Sequence, residues 1–486
     1  MQLKRPILVG GLGLSASLGL MNIVGHSPLG DGSGLLGMVA VGSGLWWLNQ
    51  RSHSFAAAES PLFLGPVDRA AIEKALAEVE GCLDTLIKEL PADSQADKSQ
   101  PIWTQIAQQR QAIAQALTNL DRETLKFAVV GNASTGKTAL ASQLSESWQG
   151  SQPTVTAIAE VKGEDTLPPA DTDLVLFVTA ADLMQSELQR IQSLLKAGYR
   201  VQIVYNKQDQ LAPLDRQSVL QRIQTRVEDL EIGVSAIAAQ PSPIKVRRHQ
   251  ENGEMAESFE QPVPQLESLT ERLTQLVETE AQQLVMITTL RQVKALKRDA
   301  QKLLNDQRRQ RAMPLVEQMQ WIAAGSAFAS PLASLDLLAS TAINAQMIVD
   351  LGAVYGQKFS LEQAKAAAGT LAELLVKLGL VELSTQALGS LLKTHAATYV
   401  AGGALQGVSA AYLTRMVGLS LIDFFEEQSL LAPEQQKFAF GEMGARLQAL
   451  FQATKKGAGL QNFVQQALTH LPLPPAKPPV KPVATA

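Results

Sequence analysis

The chain of 486 residues has one cysteine, Cys82, so no internal disulfide and no cysteine-based metal site can form. Its five histidines are scattered without ligand spacing. Aromatic residues make up only 5%, while the apolar share is 46% and is carried by alanine and leucine, which favours helix over sheet. Neither sign of charge dominates. With 42 basic and 46 acidic residues the net charge is −4, which argues against a general nucleic-acid binder. The length is enough for about three domains.

Charge is scarcest at the start. From Pro6 to Gln50 the only charged residue is Asp31. Residues 6–25 and 34–50 are two apolar stretches separated by the turn-rich run Ser27–Ser33. A membrane span needs about 20 apolar residues, or about 17 at the short end. Gly13/Ser17 and Ala40/Gly44 have the small-x-x-x-small spacing of closely packed membrane helices. Trp46 and Trp47 sit where interfacial aromatics belong, and Lys4, Arg5 and Arg51 flank the pair. The charge flanks predict a transmembrane hairpin with both ends in the cytosol. A single or re-entrant anchor and a cleaved signal peptide are the alternatives.

The densest chemistry lies at residues 131–138. Gly131-Asn132-Ala133-Ser134-Thr135-Gly136-Lys137-Thr138 matches the phosphate-loop pattern G-x-x-x-x-G-K-[ST]. A Gly-bounded loop of backbone N–H groups, followed by a helix N-terminus, suits a triphosphate. Lys137 would reach the β- and γ-phosphates, and the Thr138 hydroxyl would bind Mg²⁺. An apolar run, Leu125–Val130, precedes the loop, and a helical pattern follows it. A second buried-strand run, Val201–Tyr205, leads into Asn206-Lys207-Gln208-Asp209, the guanine-reading pattern N-K-x-D. Asp209 can accept from the guanine N1–H and N2–H₂ groups, which adenine lacks. The Lys207 stem can cover the base, and Asn206 can brace the neighbouring loop. Ser235-Ala236, in a third strand-like run, would back the guanine. The cofactors expected are therefore GTP or GDP with Mg²⁺.

On these motifs, residues 122–240 resemble an Era-like GTPase domain. The rest of the chain, through its apolar region around 321–425, resembles the YcjF-like membrane GTPases, which join such a domain to an Ala/Gly-rich helical domain of unknown function. The family's D-x-x-G element is nearest matched by Asp165-Thr166-Leu167-Pro168. Asp165 could hold a Mg²⁺-bound water, but Pro168 has no N–H for the γ-phosphate. Thr154 and Thr156 are the candidate switch threonines. No side chain is evident to position the attacking water, so the catalytic residues are unknown. Turnover is expected to be slow, at or below the roughly 10⁻⁴ per second of an unassisted small GTPase.

The expected organisation is an Era-like α/β P-loop domain at 122–245, flanked by mainly α-helical modules. These are the transmembrane hairpin at 1–52, a helical hairpin at 66–121, a linker and long amphipathic helix at 246–313, a membrane-associated helical domain at 314–470 and a disordered Pro-rich tail at 471–486. Within the long helix, Arg291, Lys294, Lys297, Arg298, Lys302, Arg308, Arg309 and Arg311 read as a solvated basic face or as one held against anionic lipid. The uncharged stretches 318–335 and 394–414 read as a compact helical domain at the membrane or as further spans. The functional expectation is a membrane-anchored, cytosol-facing, slow regulatory GTPase. A non-hydrolysing GTP-binding scaffold and a dynamin-like remodeller that self-associates on lipid are the alternatives, and no nucleic-acid partner is expected.

Overall fold

The computed structural model describes residues 66–149, 155–163, 166–249, 255–329, 333–392, 402–431, 436, 438–456 and 459–470. The hairpin expected over 1–52, Thr154, Asp165 and the tail at 471–486 lie outside the described residues. The chain divides into two units, with the boundary between Ala300 and Gln301.

The described part of the first unit opens with two long helices, α1 (Arg69–Glu89) and α2 (Pro101–Leu120), with a single short helical turn, Ala92–Ala96, between them. Their four-and-three spacing buries Ile72, Leu76, Val79 and Leu83 of α1 with Ile113, Ala116 and Leu120 of α2. Cys82 is half-buried beside this seam. The chain then alternates: β1 (Leu125–Gly131), α3 (Lys137–Gln143), β2 (Val155–Glu160), β3 (Leu174–Thr179), α4 (Gln185–Lys196), β4 (Val201–Tyr205), α5 (Pro213–Val227) and β5 (Val234–Ala236). The strands form one parallel sheet in the order β2-β1-β3-β4-β5.

The sheet is covered on both faces, which explains why its strands read as continuous apolar runs. Phe127 and Val129 of β1 point to one face, with Leu140 of α3. Ala128 and Val130 point to the other, with Ile191 of α4 and Ile223 of α5. The first face is completed by Leu266, Leu269, Leu273, Leu276 and Leu284 at the start of the long helix α6 (Glu267–Ala329). Between β5 and α6 an antiparallel hairpin is inserted, β6 (Ile244–His249) with β7 (Met255–Glu260). The sequence predicts only a linker ahead of the long helix, and the hairpin occupies that stretch.

The described part of the second unit is helical. After the C-terminal part of α6 come α7 (Ala333–Val354), α8 (Leu361–Lys377), α9 (Leu380–Leu392), α10 (Gly402–Leu430), α11 (Gly444–Lys456) and α12 (Gly459–His470). Small residues let these helices approach closely. A Cβ on Gly418 of α10 would lie 2.6 Å from Val316 Cγ1 of α6. Among the described residues, Leu405–Leu430 is the one segment long and apolar enough to cross a membrane, and 72% of its apolar window is buried inside the protein. Its Tyr412, Leu421 and Phe425 belong to the unit's own core.

The basic run on α6 is not a uniformly solvated or lipid-facing stripe. In the first unit, Arg291 donates to the carbonyls of Ala170 (3.0 Å) and Thr172 (2.7 Å), and Lys297 pairs with Glu78 at 2.5 Å. In the second, Arg308 is buried and donates to the Tyr355 carbonyl, while Arg309 bridges Asp423 and Glu426. These cations hold the fold; Lys294 and Lys302 remain exposed.

Candidate functional site

The parallel sheet carries its functional loops at the C-terminal ends of its strands, where open α/β sheets bind ligands. β1 ends at Gly131, whose φ is +156° and where a Cβ would fall 2.3 Å from the Val178 carbonyl oxygen. No other residue fits without moving β3. At the far side of the loop Gly136 has φ +91°, and a Cβ there would meet Asn206 Nδ2 at 2.3 Å. α3 begins at Lys137, so Lys137 and Thr138 occupy its first turn. Lys137 Nζ donates to the Asn132 carbonyl at 2.6 Å, and Thr135 Oγ1 donates to the same oxygen at 3.0 Å. The ammonium group is thus folded back over its own loop.

The N-K-x-D segment follows β4 and meets this loop directly. Asn206 Nδ2 donates to the Thr135 carbonyl at 2.9 Å, and Lys207 Nζ donates to the Ser134 carbonyl at 2.7 Å. Ser134 and Lys207 both adopt left-handed backbone, with φ of 61° and 62°. Non-glycine residues seldom take this conformation, and it clusters at functional loops. Asn206 is itself buried, and its Oδ1 accepts from the Ala239 N–H at 2.9 Å. Asp209 Oδ2 accepts from the Ser242 N–H at 2.9 Å.

Ser235 and Ala236 lie beside β4, in register with Val204 and Tyr205. Their polar contacts go elsewhere than the N-K-x-D side chains. Ser235 Oγ accepts from Gln202, and the Ala236 carbonyl accepts from Ser268 Oγ at 2.7 Å. Because β5 is only three residues long, the chain passes Asn206 and Asp209 a little later, at Ile237–Ser242. Those backbone donors carry no side-chain signature and were missed in the sequence.

A further carboxylate stands beside the phosphate-pattern loop. β2 ends at Glu160, and Thr138 Oγ1 donates to Glu160 Oε2 at 2.9 Å. Glu160-Val161-Lys162-Gly163 is therefore an E-x-x-G at the strand end beside the candidate Mg²⁺ hydroxyl. Gly163 has φ +97°, and a Cβ there would lie 2.7 Å from Thr166 Oγ1. Reading glutamate as a longer aspartate would have revealed it. Pro168, by contrast, is buried at the opposite end of the sheet. Its carbonyl accepts from the Tyr199 hydroxyl at 2.7 Å, and Tyr199 stands just before β4 begins. Pro168 is therefore not a failed γ-phosphate contact. Thr156 is also at that far end, donating to the Leu125 carbonyl at the start of β1. The site thus unites Gly131–Thr138, Asn206–Asp209 and Glu160. The described residues include no group of three or more His, Cys, Asp or Glu side chains that could hold a metal by themselves.

Residues 291–456 match the family model for a domain of unknown function, DUF697. This segment takes in the later part of α6 and helices α7–α11. The comparison with curated proteins gives no match.

Proposed function

We propose that the chain is a guanine-nucleotide-binding protein whose first unit is a compact P-loop GTPase domain. The observation that carries this reading is the pair of hydrogen bonds from Asn206 and Lys207 to the carbonyls of Thr135 and Ser134. Two motifs some seventy residues apart meet side by side, as a ligand with a phosphate end and a base end requires. DUF697, a domain associated with YcjF-like GTPase proteins, supports the same assignment. In this reading Gly131–Thr138 hold the phosphates and Asp209 reads the guanine edge. Thr138 and Glu160 hold Mg²⁺, directly or through water. The slow turnover expected from Pro168 loses that reason, since Gly163 supplies a glycine three residues after Glu160. The protein acts as a regulatory GTPase at the cytosolic face of a membrane, anchored by residues 1–52.

Competition binding with the full-length protein tests the base assignment. GTP and GDP should displace a fluorescent guanine nucleotide, with ATP weaker by about two orders of magnitude, since each unmatched buried hydrogen bond costs about 1–3 kcal/mol. Asp209→Asn should move the preference toward xanthine nucleotides. Equal affinities for ATP and GTP would remove the reading. Single-turnover hydrolysis, with and without liposomes, then separates an enzyme from a GTP-binding scaffold.

The metal assignment has its own test. Glu160→Gln keeps the side chain's length and its hydrogen bond to Thr138 but loses its charge. It should weaken GTP binding about tenfold in the presence of Mg²⁺ and leave binding in EDTA unchanged. An equal loss in both conditions would assign Glu160 to the fold instead.

A further inference from the structure

Glu187 is a buried acid that the nucleotide motifs do not account for. It is 3% exposed and lies in the first turn of α4. One carboxylate oxygen accepts from the Met184 N–H at 3.0 Å, which caps the helix. The other accepts from Asn132 Nδ2 at 3.1 Å. Burial pushes its pKa up, opposed by the Met184 and Thr179 hydrogen bonds. A carboxyl group is costly in such a place, and helix capping alone would be served by an exposed side chain.

The geometry gives the second contact a meaning. Asn132 follows Gly131, which is fixed by its close approach to Val178. The carbonyl of Asn132 is the oxygen that receives both Lys137 Nζ and Thr135 Oγ1. The side chain of Asn132 is therefore anchored on α4 while its main chain seats the lysine.

We propose that Glu187 is a positioning residue for the phosphate loop, acting through the Asn132 side chain to fix the carbonyl against which Lys137 is held. It touches no ligand itself. The inference rests on the nucleotide-binding reading above and names a residue outside every nucleotide motif. Its physical basis is preorganisation: a loop already held in its binding shape loses less freedom when the ligand arrives.

The test uses the full-length protein and a fluorescent GDP analogue, with thermal unfolding recorded in parallel. Asn132→Ala breaks the link but leaves the α4 cap in place, so it remains informative if Glu187→Ala folds poorly. Each single variant should lose about tenfold in affinity, one buried hydrogen bond's worth. The double variant should lose no more than either single one, because both cut the same link. Glu187→Gln should recover most of the affinity. Its amide oxygen can still accept from Met184, and its NH₂ group can donate to Asn132 if the asparagine amide turns over. Multiplied losses in the double variant, or a drop in melting temperature with unchanged affinity, would overturn the proposal and leave Glu187 as a helix cap. A wild-type protein that binds no guanine nucleotide would bring down the nucleotide reading together with this inference. Wild-type binding with unaffected variants would bring down the inference alone.

Discussion

Replacing Lys137 with alanine is expected to lower GTP affinity by about 100-fold or more, with melting temperature nearly unchanged. The size follows from what the ammonium does. It is the main side-chain charge of the loop, and a hydrogen bond to a charged partner is worth about 1.5–3 kcal/mol. Its Coulomb interaction with a polyanion adds to that. A factor of 100 corresponds to about 2.7 kcal/mol. Stability should be spared because the lysine's bond to the Asn132 carbonyl is local to the loop. Isothermal titration of wild type and variant with GTP checks the result. Unchanged affinity would mean that Gly131–Thr138 is not the phosphate site.

The second large effect is on folding and is independent of any ligand. The Asp173 side chain is wholly buried at the start of β3, where it receives both terminal nitrogens of Arg122 and the Lys126 N–H at 2.8 Å. Arg122→Met removes the cation and leaves the carboxylate inside. Breaking one side of a buried pair costs about 3–5 kcal/mol, because the remaining charge is left without its counterion. That is a large part of the roughly 5–15 kcal/mol that holds a typical domain folded. Urea unfolding should show the loss, and amide exchange should show it concentrated in β1 and β3. A change below about 1 kcal/mol would mean that Asp173 does not depend on Arg122 as its counterion.

The parts of this molecule that could be read from sequence are those in which residue type and spacing are themselves the chemistry. The tight loop at Gly131–Gly136 is one: its two glycines sit where a Cβ would strike Val178 or Asn206. The apolar runs of β1, β3 and β4 are another, since a strand buried on both faces has no polar alternation to hide it. Glu160 escaped the sequence reading for an equally physical reason. Asp165–Pro168 imitates a D-x-x-G in letters, whereas Glu160 earns its position through a hydrogen bond to Thr138 across a strand pairing that the letters do not reveal. Donors supplied by the backbone, at Ala239 and Ser242, leave no trace in side-chain identity. The basic stretch of α6 could not be assigned either, because Arg291 donates to the carbonyls of Ala170 and Thr172, more than a hundred residues earlier.

Asn206 has a consequence for how a nucleotide would be assembled at these loops. Its amide group ties the loop at Thr135 to the turn at Ala239, one bond on each side. If guanosine and pyrophosphate were offered as separate pieces, they would not behave as independent guests. Whichever arrived first would steady the shared asparagine and so reduce the freedom the other must remove. The intact nucleotide should then bind more tightly than its two halves suggest, through an entropy already spent rather than through any added contact.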